Sequence, residues 1–205
     1  MPNLTLYHAA PSRSSIALWM LEEVGASYDV KLVKLSQGDN LKPDYLAINP
    51  MGKVPALKHG DAVITEVAAI CAYLADEFPA NKLNVPVGTP RRGLYLKWLF
   101  FGPSVIEPAM TDRAFPRKEN PRASSVGWRD FDMVLDIVAK ALTPAPYLMG
   151  EQFTAADVVI GSGLRYGMMF KLIPPRQDFA DYVARLTARP AAQRAAAKDK
   201  EMSAA

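Results

Sequence analysis

"NPMGKVPALKHGDAVITEVAAICAYLADEF", residues Asn49 to Phe78, reads as strand, tight turn, strand and helix in direct succession. The two strand-like runs flank His59-Gly60-Asp61, a turn that suits a hairpin. The helical run brings Val67, Ile70, Cys71 and Leu74 onto one apolar face. Pro55 is the anomaly, because a proline cannot donate to a strand ladder. It sits either at a strand start or in a cis bond that turns the Val54 backbone outward.

Upstream, "NLTLY" reads as a strand and "SIALWMLEEVG" as a helix. Ile16, Leu18, Trp19, Met20 and Leu21 give that helix a broad apolar face, and Gly25 fits its C-terminal cap. "YDVKLVKL" alternates like a strand, with Val30, Leu32 and Leu35 apolar. The order is strand, helix, strand, loop, hairpin, helix. It implies a βαβ unit with a parallel pair, extended by antiparallel strands.

Downstream the rhythm changes. "PANKLNVPVGTP", Pro79 to Pro90, reads as a linker. Beyond it only helical patterns occur, so the expected organisation is an α/β domain over 1–78, a linker over 79–90 and an all-α domain over 91–205. Leu94, Trp98 and Phe101 are expected on one face, and Pro103 and Pro108 to end or kink that helix. Phe131, Leu135, Val138 and Leu142 share a face, as do Phe179, Val183 and Leu186. "TAADVVIGSGLRYGMMF" is apolar nearly all round, as a central buried helix is. Thr154 and Asp157 form a capping box ahead of it, with Phe153 and Val158 placed to staple. The tail from Ala191, alanine and charge, is expected to fray.

The chain has 205 residues, half of them hydrophobic, with 24 lysines and arginines against 21 acids and a net charge of +3. The charges are mixed, without the concentrated basic face that nucleic acid needs. No apolar run is long enough for a membrane span, and the first residues do not resemble a signal peptide. One cysteine, Cys71, and two histidines, His8 and His59, argue against a disulfide or a metal site. A cytoplasmic setting is expected. Cys71 reads as a buried small hydrophobe, His8 as a solvated loop residue and His59 as a turn residue.

Two stretches invite a ligand. Thr65 is an expected helix N-cap with Glu66 in the first turn. Plain capping is the commoner outcome; the functional reading is that free N–H groups there bind a carboxylate while Glu66 takes an ammonium, as an amino-acid head group requires. A cis Pro55 offers the Val54 N–H and C=O to a peptide-like ligand.

Taken together, "LYHAAPSRSSIALWMLEEVGASYDV", "YLAINPMGKVPAL", "ITEVAAICAYLADEF" and "FTAADV" resemble, in order and spacing, a cytosolic glutathione transferase of the bacterial type. The resemblance covers nearly the whole chain. It implies a thioredoxin-like N-terminal domain followed by an all-helical domain, glutathione as co-substrate without a metal, an electrophilic small molecule as second substrate, and a homodimer. It raises Pro55 to an expected cis-proline.

The implied glutathione site is Val54 and Pro55 for the cysteinyl part, Glu66 for the γ-glutamyl ammonium, and Lys53, with Asn40 nearby, for the glycyl carboxylate. Val67 stands where the family usually has serine, which removes one hydroxyl donor at a cost of about 1 kcal/mol. For the sulfur, a match to the cysteine-type pattern falls on Arg13, and a match to the serine-type classes falls on Ser12. Ser12 is expected to act, Ser14 is the second choice, and Arg13 either adds charge or points to solvent. Tyr7 reads as packing. A free thiol ionises near ~8.5, so lowering it by about two units takes roughly 2.7 kcal/mol. A hydroxyl donor at a helix N-terminus contributes to that.

An apolar second-substrate site between the domains is expected to draw on Phe101, Ser104, Met110 and Tyr166. The rival readings are a non-catalytic ligand- or protein-binding module on the same fold, and a glutathione-dependent peroxidase, isomerase or dehalogenase.

Overall fold

The computed structural model describes residues 3–119 and 121–203. They form two units, residues 3–81 with 188–203, and residues 82–187. In the first, β1 (Leu4–His8), α1 (Ser14–Val24), β2 (Tyr28–Leu32), α2 (Pro43–Leu46), β3 (Ala56–His59), β4 (Ala62–Thr65) and α3 (Val67–Glu77) follow one another. The sheet order is β2-β1-β3-β4. β1 and β2 are parallel, and β3 runs antiparallel to both β1 and β4. This is the βαβ unit with antiparallel strands that the element order implied, and the thioredoxin-like sheet domain that the resemblance implied.

Strand alternation sorts the side chains of β1. Leu4, Leu6 and His8 take one face, with Leu6 and His8 wholly buried. Tyr7 takes the other and packs edge-on against Tyr45 of α2, in a small cluster with Val33 and Ala56. α1 packs on β1 and on α3. Leu18, Met20, Leu21, Ile70, Cys71 and Leu74 fill the space without solvent contact. Burial pushes the Cys71 thiol up to about 12, so it behaves as a hydrophobe. His59 ends β3, where its Nδ1 lies 2.6 Å from the Tyr73 hydroxyl.

The second unit holds α4 (Pro90–Phe101), α5 (Glu107–Ala114), α6 (Phe131–Leu142), α7 (Ala155–Met169) and α8 (Gln177–Thr187). The expected linker is partly its own structure: Leu83 and Val85 are buried, and the Leu83 carbonyl accepts from Ala155 N–H. α4 buries Tyr95, Trp98 and Leu99 and leaves Leu94 exposed, so its inner face is turned from the expected one. Pro103 interrupts the helix as expected, α4 ending at Phe101, while Pro108 sits in the first turn of α5 without breaking it. A π turn over Gly102–Ile106 carries the chain into α5, its wider register absorbing a missing N–H. Gly102 is needed there, because a Cβ would come within 2.9 Å of Val159 Cγ1. The capping box forms as expected. Buried Asp157 accepts from Thr154 N–H, Leu148 N–H and the Tyr182 hydroxyl. Burial holds its pKa up against those donors.

The tail departs most from expectation. It is a formed helix, α9 (Pro190–Ser203), and it packs on α1 of the sheet unit instead of joining a helical domain over 91–205. Two acids on α1 explain this. Glu22 is only 8% exposed and receives Arg194 at 2.8 Å together with Lys198 and the Tyr28 hydroxyl. Glu23 receives two guanidinium nitrogens of Arg189, Nε and Nη2, each at 2.7 Å. A carboxylate buried on an apolar helix needs such partners.

Burial alone raises the Glu22 pKa, but hydrogen bonds from Lys198, Tyr28 and Arg194 outweigh it and hold the group at about 2. A depressed folded pKa stabilises above the unfolded value and is lost as pH falls through the folded one. Glu22→Gln should therefore cost about 3 kcal/mol at neutral pH. In denaturant titrations the gap to the wild type should close between pH 4.5 and about 2.

Candidate functional site

One level across the sheet gathers the expected residues. Tyr7 pairs with Ala56, and Ala56 pairs with Thr65. The β1–α1 turn, Pro55 and Glu66 therefore leave the sheet at the same edge. β2 ends at that edge too, since Leu32 is the register partner of His8. The loop that carries Asn40 starts from it.

The Val54–Pro55 bond is cis, as the resemblance implied. Pro55 is buried and Val54 half-buried. The loop before them is tightly held. Tyr45 and buried Asn49 both donate to the Lys53 carbonyl, at 2.6 and 2.7 Å. Asn40 donates from its side chain to the Gly52 carbonyl at 2.9 Å. Gly52 has φ 61, and a Cβ there would meet the Asn40 carbonyl at 3.0 Å, so glycine is required. Asn40 thus braces the loop from which the exposed Lys53 extends.

Glu66, not Thr65, occupies the N-cap position of α3, with φ 65 and ψ 117. A non-glycine residue at positive φ costs about 1–3 kcal/mol, and such strain concentrates at functional sites. Its side chain is exposed, and Val67, half-buried, opens the helix. The arrangement presents a carboxylate beside the first N–H groups of α3, which suits the two charges of an amino-acid head group.

The β1–α1 turn separates the two serines. Ser14 is fully buried, and its Oγ lies within hydrogen-bond distance of Ala9 N, Ala9 O, His8 Nδ1 and Ser12 Oγ. Ser12 is half-buried just ahead of α1, and its Oγ accepts from Ser14 N–H at 3.0 Å. Arg13 is exposed at the N-cap position. His8 corrects the solvated-loop reading: it ends β1 with no exposure, because β1 runs one residue further than its apolar pattern. The Ala10–Pro11 bond is also cis, a feature with no sequence signal.

In the helical unit the four expected residues differ. Met110 is buried, and Phe101 is half-buried edge-on against Trp98. Tyr166 is half-buried and stacks on Phe170. Ser104 is exposed and donates to the Phe100 carbonyl. Among the described residues, no group of three or more His, Cys, Asp or Glu is arranged to hold a metal, and no helix is long and apolar enough to cross a membrane.

A family model for the glutathione S-transferase N-terminal domain matches residues 2–76. The glutathione S-transferase GstA of Escherichia coli is 31% identical over 169 residues, 82% of each chain. The chain belongs to the glutathione S-transferase family. A glutathione transferase structure from Methylococcus capsulatus is 31% identical, with a TM-score of 0.79 over 97% of this chain and 99% of that one. A theta-class transferase from Xanthomonas axonopodis, solved with glutathione bound, is 30% identical, with a TM-score of 0.75 over 95% of this chain and 97% of that one.

Within this family member, Glu66 carries both a carboxylate and a strained backbone. Glu66→Gly relieves the positive φ. It should raise the stability to urea by about 1 kcal/mol, a gain set against the lost carboxylate.

Proposed function

We propose that this transferase binds glutathione at the common sheet edge and delivers its thiolate to an electrophilic, largely apolar small molecule. The gathering of Ser12, the cis Val54–Pro55 bond and the strained Glu66 at one level of the sheet carries the reading. The Val54 backbone pairs with the cysteinyl residue. Glu66 takes the γ-glutamyl ammonium, and the α3 N-terminus takes the neighbouring carboxylate. Lys53 attracts the glycyl carboxylate, with Asn40 as the brace of its loop. Phe101 and Tyr166, half-buried, are better suited to an apolar substrate than the buried Met110 or the polar Ser104.

The chemistry asks for a thiolate at neutral pH. Glutathione alone supplies only a few per cent of it. The Ser12 hydroxyl, aimed at the sulfur from the start of α1, favours the anion in a partly dehydrated setting. The sulfur then bonds to the electrophilic carbon, and the displaced electron pair goes to the leaving group or along the conjugated system. Of the two serines, Ser12 is favoured because the Ser14 oxygen is surrounded by internal partners.

Calorimetry with glutathione and S-hexyl glutathione, with kinetics on several electrophiles, tests the reading. Both ligands should bind, the hexyl form tighter. Ser12→Ala should lower kcat/KM about a hundredfold. An unchanged rate in that variant, or no binding of either ligand, defeats the proposal. Tight binding without turnover favours a non-catalytic module.

Val67→Ser restores a hydroxyl at the γ-glutamyl end of the site. It should tighten glutathione binding about fivefold, the worth of one ordinary hydrogen bond. The same calorimetric titration reads it.

A further inference from the structure

His8 is the polar group that neither the glutathione contacts nor the core requires. It has no solvent exposure, and Nε2 is buried without a hydrogen-bond partner. Nδ1 lies 2.8 Å from Ser14 Oγ, and Nε2 lies 3.1 Å from Asp199 Oδ1 on α9. Ser14 Oγ in turn lies 2.7 Å from Ser12 Oγ. Hydrogen bonds therefore run from His8 Nδ1 through Ser14 to the hydroxyl assigned to the sulfur, while Asp199 stands at ion-pair distance from Nε2 without making a hydrogen bond to it. We infer that His8, held by Asp199, is a positioning residue that turns the Ser12 hydroxyl outward through Ser14. The inference rests on the proposed role of Ser12.

The direction follows from counting electron pairs and protons. A serine oxygen has two acceptor sites and one proton. The Asp199 carboxylate, 3.1 Å from Nε2, is placed to favour a positive ring over a neutral one. At Ser14, one acceptor site is taken by Ala9 N–H at 3.0 Å. When Nδ1 also carries a proton, it fills the second site. The Ser14 proton then goes to Ser12 Oγ, at 2.7 Å a closer acceptor than the Ala9 carbonyl at 3.1 Å. Ser12 now accepts from both the Ser14 hydroxyl and the Ser14 N–H, and its own proton points away from the chain of bonds, toward the sulfur. When Nδ1 lacks a proton, the Ser14 hydroxyl donates to it, and the Ser12 hydroxyl turns inward to fill the vacated site. The doubly protonated ring is the state that serves the thiolate. The two arrangements differ by the one proton on Nδ1; the serine protons only reorient.

The groups facing the ring are Ser14 from α1 and Asp199 from α9, and the Ser15 hydroxyl supports Asp199 at 2.7 Å. The other charges of the α1–α9 interface, Glu22 with Arg194 and Lys198, close around Tyr28 instead. That separation makes the test clean.

The experiment is a pH titration of the near-ultraviolet thiolate absorbance of protein-bound glutathione, with steady-state kinetics, on the full chain. His8→Phe and Asp199→Ala should each move the thiol titration to higher pH. Each should lower kcat at neutral pH about tenfold and leave KM for glutathione within about twofold. Arg194→Met removes one donor to Glu22, while Lys198 and Tyr28 on Glu22 and Arg189 on Glu23 still hold α9 in place. It should lower the thermal midpoint and leave the thiol titration in place. Asp199→Ala, on an exposed alanine-rich helix, keeps the test open if His8→Phe does not fold. A wild-type titration in either folded variant overturns the inference, as does an equal shift in Arg194→Met. Ser12→Ala separates the two levels. If it shifts the titration while the His8 and Asp199 variants do not, the relay alone fails. If it shifts nothing, the Ser12 reading fails and the relay with it.

Discussion

Backbone pairing of Tyr7 with Ala56, and of Ala56 with Thr65, sets the level on which everything else depends. A one-residue slip in either ladder would send each side chain to the opposite face. It would also move Pro55 or Glu66 off the edge where β1 hands over to α1. The cis bond at Pro55 sits just ahead of β3 and the strained Glu66 just after β4. Both irregular backbones are therefore held by regular hydrogen-bonded strands on one side. A rigid sheet with its exceptions confined to one edge is what positioning a flexible tripeptide requires.

The second constraint is electrostatic. α1 is almost entirely buried, yet it carries Glu22 and Glu23. Arg189, just ahead of α9, and Arg194 and Lys198 on it answer them. Those pairs fix the tail along α1 and so bring Asp199 within reach of His8. The same tail that neutralises two buried acids thereby supplies the partner of a buried histidine. Stability and the alignment of the β1–α1 turn are linked through one interface.

Much of this was legible in the residues, and the failures have physical causes. The strand–turn–strand–helix run from Asn49 to Phe78 is local in sequence, so alternation and helical spacing were enough to read it. Gly25 and the Thr154–Asp157 box announced themselves because capping chemistry is local too. The tail was misread because α9 has little apolar surface, and its stability comes from charges about 170 residues away along the chain, on α1. His8 was misread for a related reason. Its burial depends in part on α9, which lies at the far end of the chain. Ser12 and Ser14 are alike in chemistry, and only the turn itself shows that the fold encloses Ser14 and leaves Ser12 half-buried. Leu94 shows the limit of periodicity: α4 presents apolar residues on more than one side, and packing chose Tyr95, Trp98 and Leu99.

The central claim is that one edge of the sheet holds glutathione with its sulfur at Ser12. A crystal structure of the complex with glutathione tests it most directly. The account predicts the sulfur within hydrogen-bond reach of Ser12 Oγ, the cysteinyl backbone paired with Val54 and the γ-glutamyl ammonium against Glu66. A sulfur placed at Arg13 or Tyr7, with the Ser12 hydroxyl turned inward to Ser14, would contradict it.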